Sequence, residues 1–196
     1  MNDKKLLPLL AEIRACRLCE KHLPHAPRPV VQAGTSARLL IVGQAPGRRV
    51  HDTGIPWNDP SGDRLRAWLN LSREVFYDAT RIAIMPAAFC YPGQGKNGDL
   101  PPCPECAPAW HARLLAAMPQ VQLTLLIGRY AQKLYLRENG KTTLTETVAA
   151  FEEYLPHYFP LPHPSPRNRL WWKTNCWFEQ EVLPLLRSRV QLILPP

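Results

Sequence analysis

No run of about 18 uncharged apolar residues occurs in the chain, so the sequence offers no membrane-crossing helix. The leucine-rich stretch Leu6-Leu7-Pro8-Leu9-Leu10 is short and is soon broken by Glu12 and Arg14, which does not suit the apolar segment of a secretion signal. A cytoplasmic protein with no membrane partner is expected. Internal repeats and low-complexity segments are also lacking. Acidic residues are scarce beside basic ones: 16 Asp and Glu against 24 Lys and Arg give a net charge of +8, and the pI is near 9.4. A surplus of that sign favours a polyanionic partner such as nucleic acid.

What is present suits one folded unit. With 196 residues, 45% of them hydrophobic, the chain can bury a substantial core, and a single domain over 1–196 acting as a monomer is expected. The 22 prolines gather in loops, at Pro24 to Pro29, Pro101 to Pro108 and Pro156 to Pro166. Rigid, extended connections of that kind lower the entropy cost of presenting loop residues.

Hydrophobic spacing gives the element order. Leu6, Leu9, Leu10 and Ile13 predict a helix over Lys4 to Cys16. Leu39-Leu40-Ile41-Val42 is an unbroken apolar run, as in a strand covered on both faces. A helix is predicted over Asp63 to Asn70, capped by Ser61 or Asp63, then a strand over Arg81 to Phe89 and a long Gly/Pro loop over Cys90 to Pro104. A helix at Glu105 to Met118, a strand at Val121 to Ile127 and helices at Tyr130 to Leu136 and Leu144 to Tyr154 follow. A strand at His157 to Leu161 and a last helix at Asn175 to Arg189 complete the order. Strands alternating with helices predict an α/β protein, a four-stranded parallel sheet with helices on both faces. In such sheets ligands bind beyond the carboxyl ends of the strands, where Gly43 and Gly47 bracket a turn.

Six cysteines in a chain without an export signal read as metal ligands or free thiols before a disulfide framework. Two sites compete. Cys16, Cys19, Cys90 and Cys106 could hold a [4Fe–4S] cluster, which takes four thiolates. Cys16, Cys19, Cys103 and Cys106, two C-x-x-C pairs, could equally hold a structural zinc. Either metal would clamp the amino-terminal segment to the loop after the second strand. Cys176 reads as a small buried apolar residue.

Two stretches carry the function. After the first strand stands Gly43-Gln44-Ala45-Pro46-Gly47, continued by Gly54-Ile55-Pro56-Trp57 and Ser61-Gly62; after the last strand stands His163-Pro164-Ser165, followed by Arg167 and Asn168. In order and spacing these resemble the Gly-x-x-Pro turn and the His-Pro-Ser loop of the uracil-DNA glycosylase superfamily. The sequence is most similar to the iron–sulfur branch called family 4, which writes its first motif GEAPG and has its cysteines where Cys16, Cys19, Cys90 and Cys106 stand.

The resemblance implies a three-layer α/β/α sandwich, the [4Fe–4S] ligand set and a DNA partner. It further implies excision of a deaminated base, uracil foremost, from DNA. Such an enzyme takes its base out of the stack, holds it against an aromatic ring and stabilises the leaving anion. By position, Trp57 resembles the aromatic platform and His163 the anion-stabilising histidine. Gly43, Gln44, Ala45, Pro46 and Gly47 would line the pocket. Ser165 and Arg167, with Arg48, Arg49, Arg169 and Lys173, would hold phosphates, Asn168 would join the substrate-binding loop, and Leu170 or Trp171 would enter the vacated stack.

Three positions depart from the pattern. Gln44 replaces the Glu of family 4, Ala45 stands where other branches carry a water-activating Asp, and Pro86 replaces an Asn that reads the uracil edge four residues before the cysteine. Proline has no amide side chain with which to read a base. His51 and Asp52 are the nearby groups expected to position water. Two competing functions are a binding member of the superfamily without chemistry, and a hydrolase or transferase on a small nucleotide. The latter lacks the lysine of a phosphate-binding P-loop.

Overall fold

The computed structural model describes residues 3–96 and 98–194. In chain order its elements are α1 (Asp3–Arg14), β1 (Leu39–Val42), α2 (Arg48–Thr53), α3 (Pro60–Leu69), α4 (Arg73–Tyr77) and β2 (Ile82–Ile84). There follow β3 (Gln94–Gly95), β4 (Gly98–Asp99), α5 (Cys106–Ala117), β5 (Leu123–Ile127), α6 (Gly128–Leu136), α7 (Leu144–Ala149), β6 (Tyr158–Leu161), α8 (Arg169–Thr174) and α9 (Leu183–Ile193). Strands β2, β1, β5 and β6, in that order, form a four-stranded sheet in which every pair is parallel. β3 and β4 form a separate antiparallel hairpin.

The apolar run of β1 explains its place in the sheet. Leu39 and Ile41 face one core with Ile82, Leu125 and Phe159, closed by α3 and α9 through Leu65, Leu69, Leu186 and Val190. Leu40 and Val42 face a second core with Ala83 and Leu126, closed by α1, α5 and α6 through Ile13, Leu114 and Ala131. Side chains alternate across a strand, so an all-apolar strand must be covered on both sides. The chain is therefore a three-layer α/β/α sandwich.

The boundaries differ from expectation where a local conflict intervenes. The second strand is three residues long, not the nine expected. The residues after it stay buried and wrap the end of β1: the N–H groups of Met85, Ala87 and Ala88 donate to the carbonyls of Ile41, Gly43 and Gln44. The helix expected over Leu144 to Tyr154 splits into α7 and a 3-10 turn at Phe151–Tyr154. The expected last helix, Asn175 to Arg189, is a π-helical turn at Phe178–Val182 continued by α9, and α8 is an additional short helix before it. Helices α2 and α4 and the β3–β4 hairpin lie in stretches read as loops. The cap of α3 is Asp59, two residues before the earlier of the two expected caps, and its side chain accepts from the Gly62 N–H at 2.8 Å.

Candidate active site

A cavity of about 490 Å³ opens at the carboxyl ends of the sheet strands. Gly43, Gln44, Ala45, Pro46 and Gly47 line it from the turn after β1, Trp57 and Asp59 from the loop into α3, and His163, Ser165, Arg167 and Asn168 from the loop after β6. The two motif loops, distant in sequence, meet because β5 alone separates their strands.

Trp57 is held in an unusual backbone state. Its φ is +55°, the left-handed region that a bulky residue enters only when its surroundings fix it. Two glycines make room. A Cβ at Gly43 would lie 2.9 Å from the indole Cζ2, and one at Gly62 would lie 1.7 Å from the Trp57 carbonyl oxygen. The Tyr77 hydroxyl donates to the Pro56 carbonyl at 2.8 Å, and buried Arg66 donates through Nη1 to the Trp57 carbonyl at 3.3 Å. The indole faces the imidazole of His163, with ring centroids 5.7 Å apart and planes tilted by 34°.

The state of His163 follows from its neighbours. The Ser165 N–H donates to Nδ1 at 3.2 Å, so Nδ1 is an acceptor and the neutral ring carries its proton on Nε2. Burial lowers the pKa of His163 below its ordinary value, opposed by the Asp59 carboxylate. A neutral imidazole with an Nε2–H donor results. The Asn168 side chain fixes the loop by donating to the His163 carbonyl at 2.8 Å.

Other expected residues take different places. His51 and Asp52 do not line the cavity. His51 packs among His25 and Tyr91, with ring centroids 5.4 and 5.9 Å away, and Asp52 is paired with Arg48 at 3.0 Å and accepts from Arg28 through its carbonyl. They sit on α2, whose Gly47 start turns them away from the side of Arg48, Arg49 and Val50 that faces the cavity. Gln44 lines the cavity, its amide donating at 3.4 Å to the Leu100 carbonyl. Pro86 is a buried apolar wall, and its carbonyl accepts from Nε2 of His111 at 3.1 Å. Leu170 is 76% exposed at the start of α8, whereas Trp171 packs inward and donates to Thr145.

Two cavity carboxylates, Asp59 and Asp99, went unnoticed in the sequence. Asp59-Pro60 is a capping signal with proline at the first helical position, and Asn97-Gly98 is a hairpin signal that would have placed Asp99 at a turn.

Five cysteines surround one small internal space behind the cavity: Cys16, Cys19, Cys90, Cys103 and Cys106, with Phe89 and Trp110. Cys19 and Cys103 are joined as a disulfide, where the sequence reading has thiols or metal ligands; the two C-x-x-C segments come to the same wall. The Leu18 N–H donates to Cys16 Sγ at 3.5 Å and the Phe89 N–H to Cys106 Sγ at 3.3 Å. Burial raises the Cys90 pKa and pushes Cys106 up to about 12, so a thiolate there needs a cation beside it. Cys176 is exposed, between α8 and the π-helical turn, and is not the buried residue expected.

The parallel α/β/α sandwich thus places a neutral histidine and a tryptophan face to face in a pocket at its strand ends. Residues 31–187 match the Uracil DNA glycosylase superfamily, and the chain belongs to that superfamily. Among solved structures, it is similar to the solution NMR structure of a candidate uracil DNA glycosylase from Methanosarcina acetivorans. That match has 16% identity over 80% of this chain and 93% of the other, at a TM-score of 0.46.

Proposed function

We propose that the protein is a DNA N-glycosylase that hydrolyses the bond between a deaminated base, uracil foremost, and deoxyribose. The observation that carries this reading is the pairing of Trp57 with a neutral, Nε2–H His163 across the cavity. A base drawn out of the duplex stacks on the indole. As the C1′–N bond lengthens, negative charge gathers on the base oxygen, and a fixed N–H donor in a water-poor site stabilises it more than the ground state. Arg48, Arg49 and Arg167 border the opening and supply positive charge for the phosphates on either side. Exposed Leu170 is the residue placed to fill the vacated stack.

The cysteines support a bound metal by their gathering round one space and by the backbone N–H groups aimed at Cys16 and Cys106. In this reading Cys16, Cys19, Cys90 and Cys106 hold a [4Fe–4S] cluster, the Cys19–Cys103 bond being open in that form. Zinc on Cys16, Cys19, Cys103 and Cys106 is the alternative. The group when bound would be structural, tying the segment after α1 to the start of α5.

A binding member of the superfamily without chemistry is the second reading. It is favoured by Ala45 and by the Pro86 wall, which offers the base no side-chain donor or acceptor. The deciding experiment uses labelled oligonucleotides bearing uracil, hypoxanthine or xanthine, single- and double-stranded, with alkali to cut at abasic sites. Strand scission at one of these bases supports the glycosylase; tight binding to all of them without scission supports the second reading.

A further inference from the structure

The first motif supplies no carboxylate to the cavity, since Gln44 and Ala45 occupy its polar positions, and Asp52 is turned away into its pair with Arg48. Yet two carboxylates line that cavity, Asp59 from the α3 cap and Asp99 from the β3–β4 hairpin. They meet over the same glycine. A Cβ placed on Gly47 would lie 3.6 Å from Oδ2 of Asp99 and 4.0 Å from Oδ2 of Asp59. The space a methyl would take there is thus bordered by both carboxylates. The glycine leaves it open at the foot of the turn.

The two are not equivalent. Asp59 spends Oδ1 on the Gly62 N–H. Asp99 is held between the Tyr91 hydroxyl and the Arg167 guanidinium, with Asp59 as a like charge opposite. Arg48, Arg49 and His163 complete the charged or titratable groups of the cavity.

We propose that Asp99 is the general base of the excision reaction, the carboxylate that takes the proton from the attacking water. The assignment rests on the glycosylase reading above. In this step the water oxygen bonds to C1′ and its proton passes to Asp99 Oδ2. The C1′–N electron pair leaves with the base, whose anion is held by His163 Nε2–H. The proton on Asp99 then returns to the departed base or to solvent. Before it takes that proton the carboxylate faces the cationic sugar, so a hairpin outside both motifs supplies what the first motif lacks. Partial desolvation at the cavity rim raises the Asp99 pKa against the pull of Arg167 and Tyr91, which brings it nearer the working pH of a general base.

The test is single-turnover excision by the wild type, Asp99→Asn and Asp99→Glu on the base that the wild type removes, with duplex affinity measured in parallel. Asp99 is exposed at the rim, so its replacement should leave the fold intact, checked by thermal denaturation. Asp99→Asn should slow excision by about 10²- to 10⁴-fold with unchanged duplex affinity. Asp99→Glu should recover part of the loss. The wild-type rate should fall at low pH as Asp99 protonates, and that limb should vanish in Asp99→Asn. Tyr91→Phe, which removes a hydrogen bond to the charged form, should move the limb to higher pH.

An Asp99→Asn rate within about three-fold of wild type overturns the assignment. So does a loss confined to duplex affinity, or an unaltered pH limb. If His163→Ala is slow while Asp99→Asn is not, only Asp99 is overturned; a wild type that excises nothing overturns both this step and the reading beneath it.

Discussion

Side-chain space at two glycines decides where the tryptophan platform stands. A methyl on Gly62 meets the Trp57 carbonyl at 1.7 Å, and neither that carbonyl, bonded by Arg66, nor the capped helix start that carries Gly62 can readily retreat. Gly62→Ala should therefore cost roughly 2–3 kcal/mol or more, read as a lowered denaturation midpoint. A methyl on Gly43 meets the far edge of the indole at 2.9 Å, and a ring can swing. Gly43→Ala should leave stability within about 1 kcal/mol of wild type and still slow excision by displacing the platform. Equal losses of stability in the two variants would contradict this account. Trp57 and His163 were legible in the sequence because motif spacing carries them. Their mutual geometry was not, since it depends on a positive φ at Trp57 and on an N–H bond to Nδ1, neither of which leaves a periodic trace. Asp99 was hidden for a related reason: its carboxylate reaches the site through hairpin pairing of two residues per strand.

At the scale of elements, α5 and α6 are bound to the floor of the cavity through His111. Its Nε2 donates to the Pro86 carbonyl and its Nδ1 accepts from the Tyr135 hydroxyl at 2.9 Å, which requires the neutral ring. Burial lowers its pKa to about 4. Between pH 4 and 6.5 the unfolded chain then binds a proton that the folded one does not, so stability rises with pH across that window and is lost as pH falls through it. The contribution is on the order of 3 kcal/mol, lost in full by about pH 4. His111→Gln should flatten the acid side of the stability profile while lowering stability at pH 7; an acid limb as steep as wild type would contradict the assignment. The same stretch holds the misjudged second strand. Its apolar run reads as nine residues of strand, but regular strand geometry ends at Ile84, and the buried chain after it wraps the end of β1 and becomes a wall of the site. The unbroken apolar run of β1 and the helical spacing of α1 were plain from sequence; α2, α4 and the hairpin are too short to show either.

For the whole molecule, charge and cysteines set the partners. The net charge of +8, with arginines at the cavity mouth, predicts duplex binding that weakens as salt rises, with log affinity falling linearly with log salt. Affinity that does not respond to salt would remove the polyanion from the account. The cysteine cavity predicts a brown protein after anaerobic purification, with broad absorption near ~400 nm. That absorption should disappear in Cys106→Ala and persist in Cys176→Ser; a colourless protein holding one zinc would favour the other ligand set. The parallel sheet and the layer order were legible because each strand is apolar on both faces. The Cys19–Cys103 contact was not, because it is a matter of which wall each loop reaches.

The central claim is that His163 stabilises the leaving base, and single-turnover excision by wild type and His163→Ala on the preferred lesion tests it most directly, with duplex affinity measured on the same preparations. A fall in excision of about 10²- to 10³-fold at unchanged affinity is expected. Excision at the wild-type rate by His163→Ala would contradict the account.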